Sequence, residues 1–327
     1  MSGKVKWGVL GTAGIARGCT IPGMKLADNC ELYAVAGRNY DKAVEFQKEF
    51  GFEKAYGSYD ELLADPEVKA VYIPLPNDLH YEWSLKAMQA GKNVLCEKPL
   101  APTKEMAEKL FAAAKECGVV LMEAFAYLHS PFVDAVKSEL DAGTIGDVKY
   151  IESAFIVQGC KPTDIRMHRA NYGGSVYDLG CYSTSMILWM LGKLPNEVLG
   201  CAEFTDDKID LHSSAIMKFD NEVRASLNCG MVFGSSRNGR YDRLYINGSK
   251  GCIKSYAEFN GSGELEYTVF TDEGATVKKV DCRQNYCLEV EQLGRCILNG
   301  EKPRVSPEFS VMNAELIDNI LTAIGYN

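Results

Sequence analysis

The chain has 327 residues, 46% of them hydrophobic and 24% charged, with a formal net charge of −9. That length exceeds the ~250–300 residues at which a single core stops growing, so two domains are expected. The acidic balance argues against nucleic acid or an anionic membrane as partner, because neither is drawn to a negative surface.

Residues 5–10 read as a strand that runs into Gly11, Thr12, Ala13, Gly14, Ile15 and Ala16, followed by a helical stretch to about residue 27. Strand, glycine turn and helix form the context that gives a G-x-G-x-x-G-like segment meaning. Gly11 permits the tight turn, Ala13 lets backbone approach a pyrophosphate, and Ala16 permits close helix–strand packing. The helix N-terminus then offers amide donors to phosphate. Gly11 to Ile15 are therefore candidate cofactor contacts; a plain tight turn is the bland reading. Residues 31–37 form the next strand. Arg38 follows it, 22 residues beyond Ala16. An acid at such a strand end binds the ribose 2′-hydroxyl of NAD, whereas an arginine accommodates the 2′-phosphate of NADP. The residue present predicts NADP rather than NAD.

A helix with Ala43, Phe46 and Phe50 on one face comes next, then a short helix at 59–64 and a strand at 70–73. This strand ends in Pro74, and Asn77 and His80 precede a helix expected over 81–90. Asn77 and Asp78 would serve as ordinary N-caps. Their place at a strand's carboxyl end, where open α/β sheets bind ligands, makes Pro74, Asn77 and His80 candidate cofactor contacts. The following strand, Val94-Leu95-Cys96, runs directly into Glu97, Lys98 and Pro99. Proline lacks an N–H and stops the ladder, which leaves Glu97 and Lys98 where chemistry is expected. A helix over 103–117 and a strand over 119–122 complete a β-α alternation typical of a doubly wound sheet.

Beyond residue 122 the pattern changes. After a helix over 132–142, strands are expected at 148–157, 213–219, 223–230, 243–247, 252–256, 265–270 and 276–280. They predict a large open, predominantly antiparallel sheet with one face packed and one free. Gly173 to Tyr182 lead into a helix that ends at Leu191, and two amphipathic helices close the chain. The expected organisation is an α/β protein: a Rossmann dinucleotide-binding domain over 1–122 and an α+β substrate-binding and oligomerisation domain over 123–327. Val223, Ala225 and Leu227 alternate with Arg224, Ser226 and Asn228, so one set must face away from the helices. A free sheet face invites burial against a second copy, and a homodimer or tetramer is expected. Twelve cysteines without a C-x-x-C pair, and with no histidine beside the nearest two, predict no metal site. Thiols without an export signal fit a reducing cytoplasm.

Taken together, Pro76-Asn77-Asp78-Leu79-His80, the run from Ala90 to Leu100 and Glu123-Ala124-Phe125 resemble the Gfo/Idh/MocA oxidoreductases, over nearly the whole chain. The resemblance implies that Lys98 stands beside the nicotinamide. Inositol dehydrogenase-like members carry Asp-x-x-x-His in the helix that faces it; here the segment is Asp178-Leu179-Gly180-Cys181-Tyr182. With tyrosine in the histidine's place, and with Ile165-Arg166 ahead of Gly173-Gly174, the chain is similar to the branch of dimeric dihydrodiol dehydrogenases, glucose–fructose oxidoreductases and NADP-dependent xylose dehydrogenases. The resemblance implies catalytic roles for Lys98, Tyr182 and Asp178. It implies contacts of Arg166, Asp178 and Tyr182 with a sugar-like or diol substrate, with His168 or Lys98 alone as the fallback acid. A free tyrosine has a pKa of ~10, and a neighbouring ammonium lowers it toward the working range. A non-catalytic NADP-binding regulator of the same family is the competing reading, and retention of both Lys98 and Tyr182 argues against it. A methyltransferase would want an acid where Arg38 stands.

Overall fold

A computed structural model describes residues 3–231 and 239–327. Six strands come first: β1 (Val5–Leu10), β2 (Cys30–Ala36), β3 (Lys54–Tyr56), β4 (Ala70–Ile73), β5 (Asn93–Glu97) and β6 (Leu121–Ala124). They pair in parallel in the order β3-β2-β1-β4-β5-β6. This is the doubly wound order, with the strand order reversing between β1 and β4. Both faces are covered, so β4 is buried along its whole length and β5 at Val94, Leu95 and Cys96. Such strands read as unbroken apolar runs rather than as alternation. The helices of this part are α1 (Ile21–Leu26), α2 (Tyr40–Phe50), α3 (Tyr59–Ala64), α4 (Asn77–Gln89) and α5 (Lys104–Cys117).

Among these elements, two have boundaries that shift from the sequence reading by two residues or more. Helix α4 begins at Asn77, four residues before the expected start, and its N-cap position is Pro76, so Asn77 and Asp78 are not caps. The fixed φ of proline prepares the backbone for a helix without a side-chain cap. The last strand is Leu121–Ala124 rather than 119–122; Val119 and Val120 are spent bringing the chain to the sheet. This shift places Glu123 inside the strand, opposite Cys96.

The later elements are α6 (Pro131–Asp141), β7 (Val148–Ile156), α7 (Cys181–Leu191), β8 (Glu197–Phe204), β9 (Asp210–Lys218), β10 (Arg224–Gly230), β11 (Tyr241–Gly248), β12 (Gly251–Ser255), β13 (Gly263–Thr271), β14 (Gly274–Cys282), α8 (Asn285–Asn299) and α9 (Pro307–Ile324). The eight strands order as β14-β13-β12-β11-β7-β10-β9-β8, antiparallel except for β7 with β10. The sequence reading lacked β8. It is an edge strand with mostly exposed side chains, Leu199 among them, and so carries little burial signal. Val223, Ala225 and Leu227 are the buried set, whereas Arg224, Ser226 and Asn228 lie on the other face. There Tyr150 and Ser226 bond at 2.6 Å, Ser214 and Asn228 at 2.6 Å, and Arg243 pairs with Glu152 at 3.3 Å. The packed face meets α7 over β7 and β10, and α6 over β13 and β14.

Two compact units emerge. One comprises Met1–Ala101, Glu105–His129 and Arg283–Ser310; the other comprises Pro102–Lys104, Ser130–Cys282 and Val311–Asn327. A single cut after residue 122 would assign α8 to the later unit, but α8 packs on α1, β1 and β2. Gly23 and Gly294 allow that approach. A Cβ at Gly23 would lie 2.7 Å from the Tyr286 Cβ and 2.8 Å from the Cys287 amide, and one at Gly294 would strike Asn29.

Candidate active site

In the first unit the candidate residues gather at the carboxyl ends of β1, β2, β4 and β5. Gly11 leaves β1 with φ +120°, a conformation that glycine alone adopts freely, and its amide donates to Ala36 O at 2.8 Å. A Cβ at Gly14 would meet nothing within 4 Å, so the loop has an open side. Ile15 is exposed, and the chain enters a wide π turn, Ala16–Thr20, that continues into α1. Single π turns of this kind recur at functional sites. Arg38 is exposed at the end of β2, within electrostatic reach of the Tyr59 hydroxyl. Its neighbour Asn39 caps α2 by accepting from the Lys42 amide. The open glycine loop, the helix start and an exposed guanidinium fit a dinucleotide bearing a 2′-phosphate.

Pro74 is buried and Asn77 half-buried in the first turn of α4. His80 is fully buried, with Nδ1 2.8 Å from Pro99 O and Nε2 2.7 Å from Leu75 O. It thus ties the loop after β4 to the turn after β5, a structural task that its sequence position alone left open. Burial pushes the imidazole pKa down, and the two carbonyl contacts pull against that. Glu97 accepts a 2.6 Å bond from the Tyr72 hydroxyl, which accepts from Thr20 Oγ1 at 2.9 Å. The turn after the glycine loop is therefore wired through Tyr72 to the strand that leads into Lys98. The Lys98–Pro99 bond is cis.

In the second unit, Gly174 (φ +116°) and Ser175 open a second π turn, Val176–Gly180, that runs into α7. Buried Asp210 anchors this start, accepting from Ser175 Oγ at 2.7 Å and from the Val176 amide at 2.9 Å. A negative charge at a helix N-terminus is favourable. The π turn carries Asp178 and the first turn of α7 carries Tyr182. Arg166 Nε lies 2.8 Å from Asp178 Oδ2, and its Nη1 lies 3.2 Å from Asp164. Asp178 is the leading reason the guanidinium pKa is raised, and burial opposes it. Of the candidates in this unit, Arg166 and Asp178 are thus brought together directly, whereas His168 is exposed on a separate turn.

Tyr182 sits in an aromatic box. Phe155 meets it edge-on at 5.3 Å and Phe259 at 5.4 Å between centroids, and Asn260 Nδ2 lies 3.5 Å from its hydroxyl. Arg240 stacks over Phe155 at 4.8 Å and grips buried Asp242 with two 2.7 Å bonds. The sequence reading missed Phe155, Asn260, Arg240 and Asp242. Only Asp242 carried a signal, as an acid at a buried position of an alternating strand. Among the described residues, no group of His, Cys, Asp or Glu has metal-binding geometry.

A six-stranded doubly wound sheet with a glycine loop after its first strand, followed by a mixed sheet bearing its own polar cluster, defines a nicotinamide-dependent oxidoreductase in two parts. Family models match both parts: residues 5–125 match the oxidoreductase family with NAD-binding Rossmann fold, and residues 133–254 match the GFO/IDH/MocA C-terminal domain. The chain belongs to the Gfo/Idh/MocA oxidoreductase family. It is 35% identical over 320 residues to D-xylose 1-dehydrogenase (NADP(+)) 2 of Haloferax volcanii, covering 96% of this chain and 95% of that one. It is 29% identical to trans-1,2-dihydrobenzene-1,2-diol dehydrogenase of Xenopus tropicalis, with 98% of each chain covered. The crystal structure of a 3-ketoreductase from Actinomadura kijaniata with NADP and TDP-benzene superposes with a TM-score of 0.91 at 30% identity, covering 98% of both chains.

Proposed function

We propose that this enzyme moves a hydride between NADP(H) and a carbinol or carbonyl carbon of a sugar-like or diol substrate, with Tyr182 as the acid/base. The observation that carries the cofactor choice is Arg38, exposed at the end of β2 where an NAD site wants an acid. Relatives named as NADP-dependent, or solved with NADP, support it. When bound, the nicotinamide supplies or accepts the hydride; the protein must manage the proton. Tyr182 delivers that proton to a carbonyl oxygen in reduction and removes it from a hydroxyl in oxidation. Lys98 serves as the ammonium that favours the phenolate and anchors the substrate oxygen. Arg166 and Asp178, locked as a pair, present a donor and an acceptor to further hydroxyls. Gly11, Thr12, Ala13, Gly14 and Ile15 cradle the pyrophosphate, and Pro74, Asn77, His80 and Glu97 shape the nicotinamide end.

The relatives' printed substrates, xylose, a dihydrodiol and a dTDP-keto sugar, share a secondary carbinol or ketone flanked by oxygen. Substrates of that class are expected here. We further assign the polar outer face of the second sheet as the contact of a homodimer or tetramer, and the cytoplasm as the compartment, since all twelve cysteines are free thiols. The test is a spectrophotometric NADP(H) screen over aldoses, polyols, dihydrodiols and dicarbonyls. Turnover of one class supports the reading. Tight NADP binding with no turnover across the panel would favour a regulator.

A further inference from the structure

Glu123 is an acid in the middle of the first core. It is 2% exposed, and its Oε1 accepts the Leu100 amide at 2.8 Å. Its Oε2 is buried without a well-formed hydrogen bond, the Ser310 hydroxyl being the polar side chain beside the carboxyl. Leu100 is itself buried, so its N–H requires an acceptor. A neutral side chain would satisfy that need at lower cost, because a carboxylate with one poorly bonded oxygen is expensive to bury. The charge therefore calls for another explanation, and Lys98 supplies one. It lies two residues before Leu100, and its ammonium acts electrostatically on Glu123.

We propose that Glu123 is a positioning residue for Lys98, holding the Lys98-Pro99-Leu100 turn through the Leu100 amide and, when ionised, balancing the lysine's charge from beneath. The inference rests on Lys98 being the lysine of the reaction. The turn is then clamped from two sides: His80 faces Pro99 O and Glu123 takes Leu100 N–H. The ionised acid makes the stronger, charge-assisted bond to the amide, so that state holds the turn best. The groups facing Glu123 are Lys98 from the turn, Glu97 and Cys96 from β5, and Ser310. Burial raises its pKa to about 7; the Ser310 hydroxyl, the Leu100 amide and Lys98 pull down, and Glu97 pushes up. Burial keeps the Cys96 thiol neutral over this range. The charge under Lys98 thus changes near neutrality, and the turnover number of the reductive reaction should fall as pH drops through about 7. Loss of the proton from Tyr182 would appear instead as an alkaline limb.

The test is Glu123→Gln, which keeps the amide's acceptor and size and removes the charge. Two readouts are taken on the full chain: the pH profile of kcat, and carbon NMR of glutamate-labelled protein without substrate or cofactor. The expected result is an acidic limb near pH 7 in the wild type and no acidic limb in E123Q. Its turnover at pH 8 should drop about tenfold, to the wild-type acidic plateau, with little change in NADPH binding. One carboxyl resonance should titrate near pH 7 in the wild type and vanish in E123Q. An acidic limb that survives E123Q, or no carboxyl titrating between about pH 6 and 8, overturns the proposal. Should E123Q fail to fold, Glu97→Gln replaces it. Removing that like charge should move both midpoints to lower pH, and unmoved midpoints overturn the proposal. If Lys98→Met keeps full turnover, the catalytic reading fails, yet the Glu123 resonance remains measurable and separates the two failures.

Discussion

Lys98 and Tyr182 are assigned to one reaction but stand in opposite surroundings. The turn that carries Lys98 is framed by ionisable groups: half-buried Glu97 and buried Glu123, with buried His80 on its far side. Glu289 lies close enough to Glu97 to act on it electrostatically, fully buried and with neither carboxyl oxygen hydrogen-bonded. Tyr182 is framed by Phe155 and Phe259, with the Asn260 amide at its hydroxyl and the Arg240 guanidinium in electrostatic reach. Aromatic rings hold a side chain in place and do not change charge, whereas a ring of acids changes charge with pH. Position is built into the second unit by packing, and charge into the first by protonation. Titration near neutrality therefore belongs to the lysine's surroundings.

The largest effects should come from removing the two groups themselves. Lys98→Met and Tyr182→Phe should each lower the turnover number by about 10²–10⁴, with NADPH affinity retained in the tyrosine variant. The comparison predicts a further difference: Tyr182→Phe should keep the acidic limb of its residual activity, because that limb belongs to the other unit. Steady-state kinetics across pH 5.5 to 9 (a range on the order of the ordinary titrations of histidine and perturbed acids) reads both. A tyrosine variant with near-full turnover would pass the proton-transfer role to Lys98 or His168. Next in size is Arg38→Ala, which should weaken NADP about ten- to hundred-fold by loss of a charged hydrogen bond, and leave NAD nearly unchanged. Titration calorimetry with both dinucleotides measures it; a wild type that prefers NAD would remove the assignment.

The smallest effect concerns stability. Burial, and after it Glu97, raise the pKa of Glu289 well above the ordinary carboxylate value. Such a group contributes stability that is complete below its ordinary value and is lost as pH rises through the folded one. Glu289→Met should therefore raise the melting temperature at pH 8 by about 2–4 °C per kcal/mol relieved, and change little near pH 4. An equal shift at both values would mean that burial of charge is not what the acid costs.

Much of the first unit was legible because a parallel sheet buried on both faces writes unbroken apolar runs, and glycine and proline mark where each strand stops. Lys98 could be placed at a strand end from Cys96 and Pro99 alone. The box around Tyr182 was not legible. Phe155 comes from β7, Phe259 and Asn260 from the loop after β12, and no spacing along the chain announces that they converge. Asn77 was misread as a cap because its residue type favours that role, whereas Pro76 had already set the backbone. Tyr182 itself came from the resemblance; periodicity made it only another helix residue.

The return of α8 to the first unit has a consequence for how the chain is made. Residues 130–282 leave the ribosome between the sheet of the first unit and the helix that covers α1, β1 and β2. At about 5–20 residues per second, that interval lasts on the order of 8–30 s. During it, the half-made nucleotide-binding unit has a dry face with no lid. A nascent chain stalled before residue 283 should be a better chaperone client than one released past residue 310, although both contain every strand of that sheet.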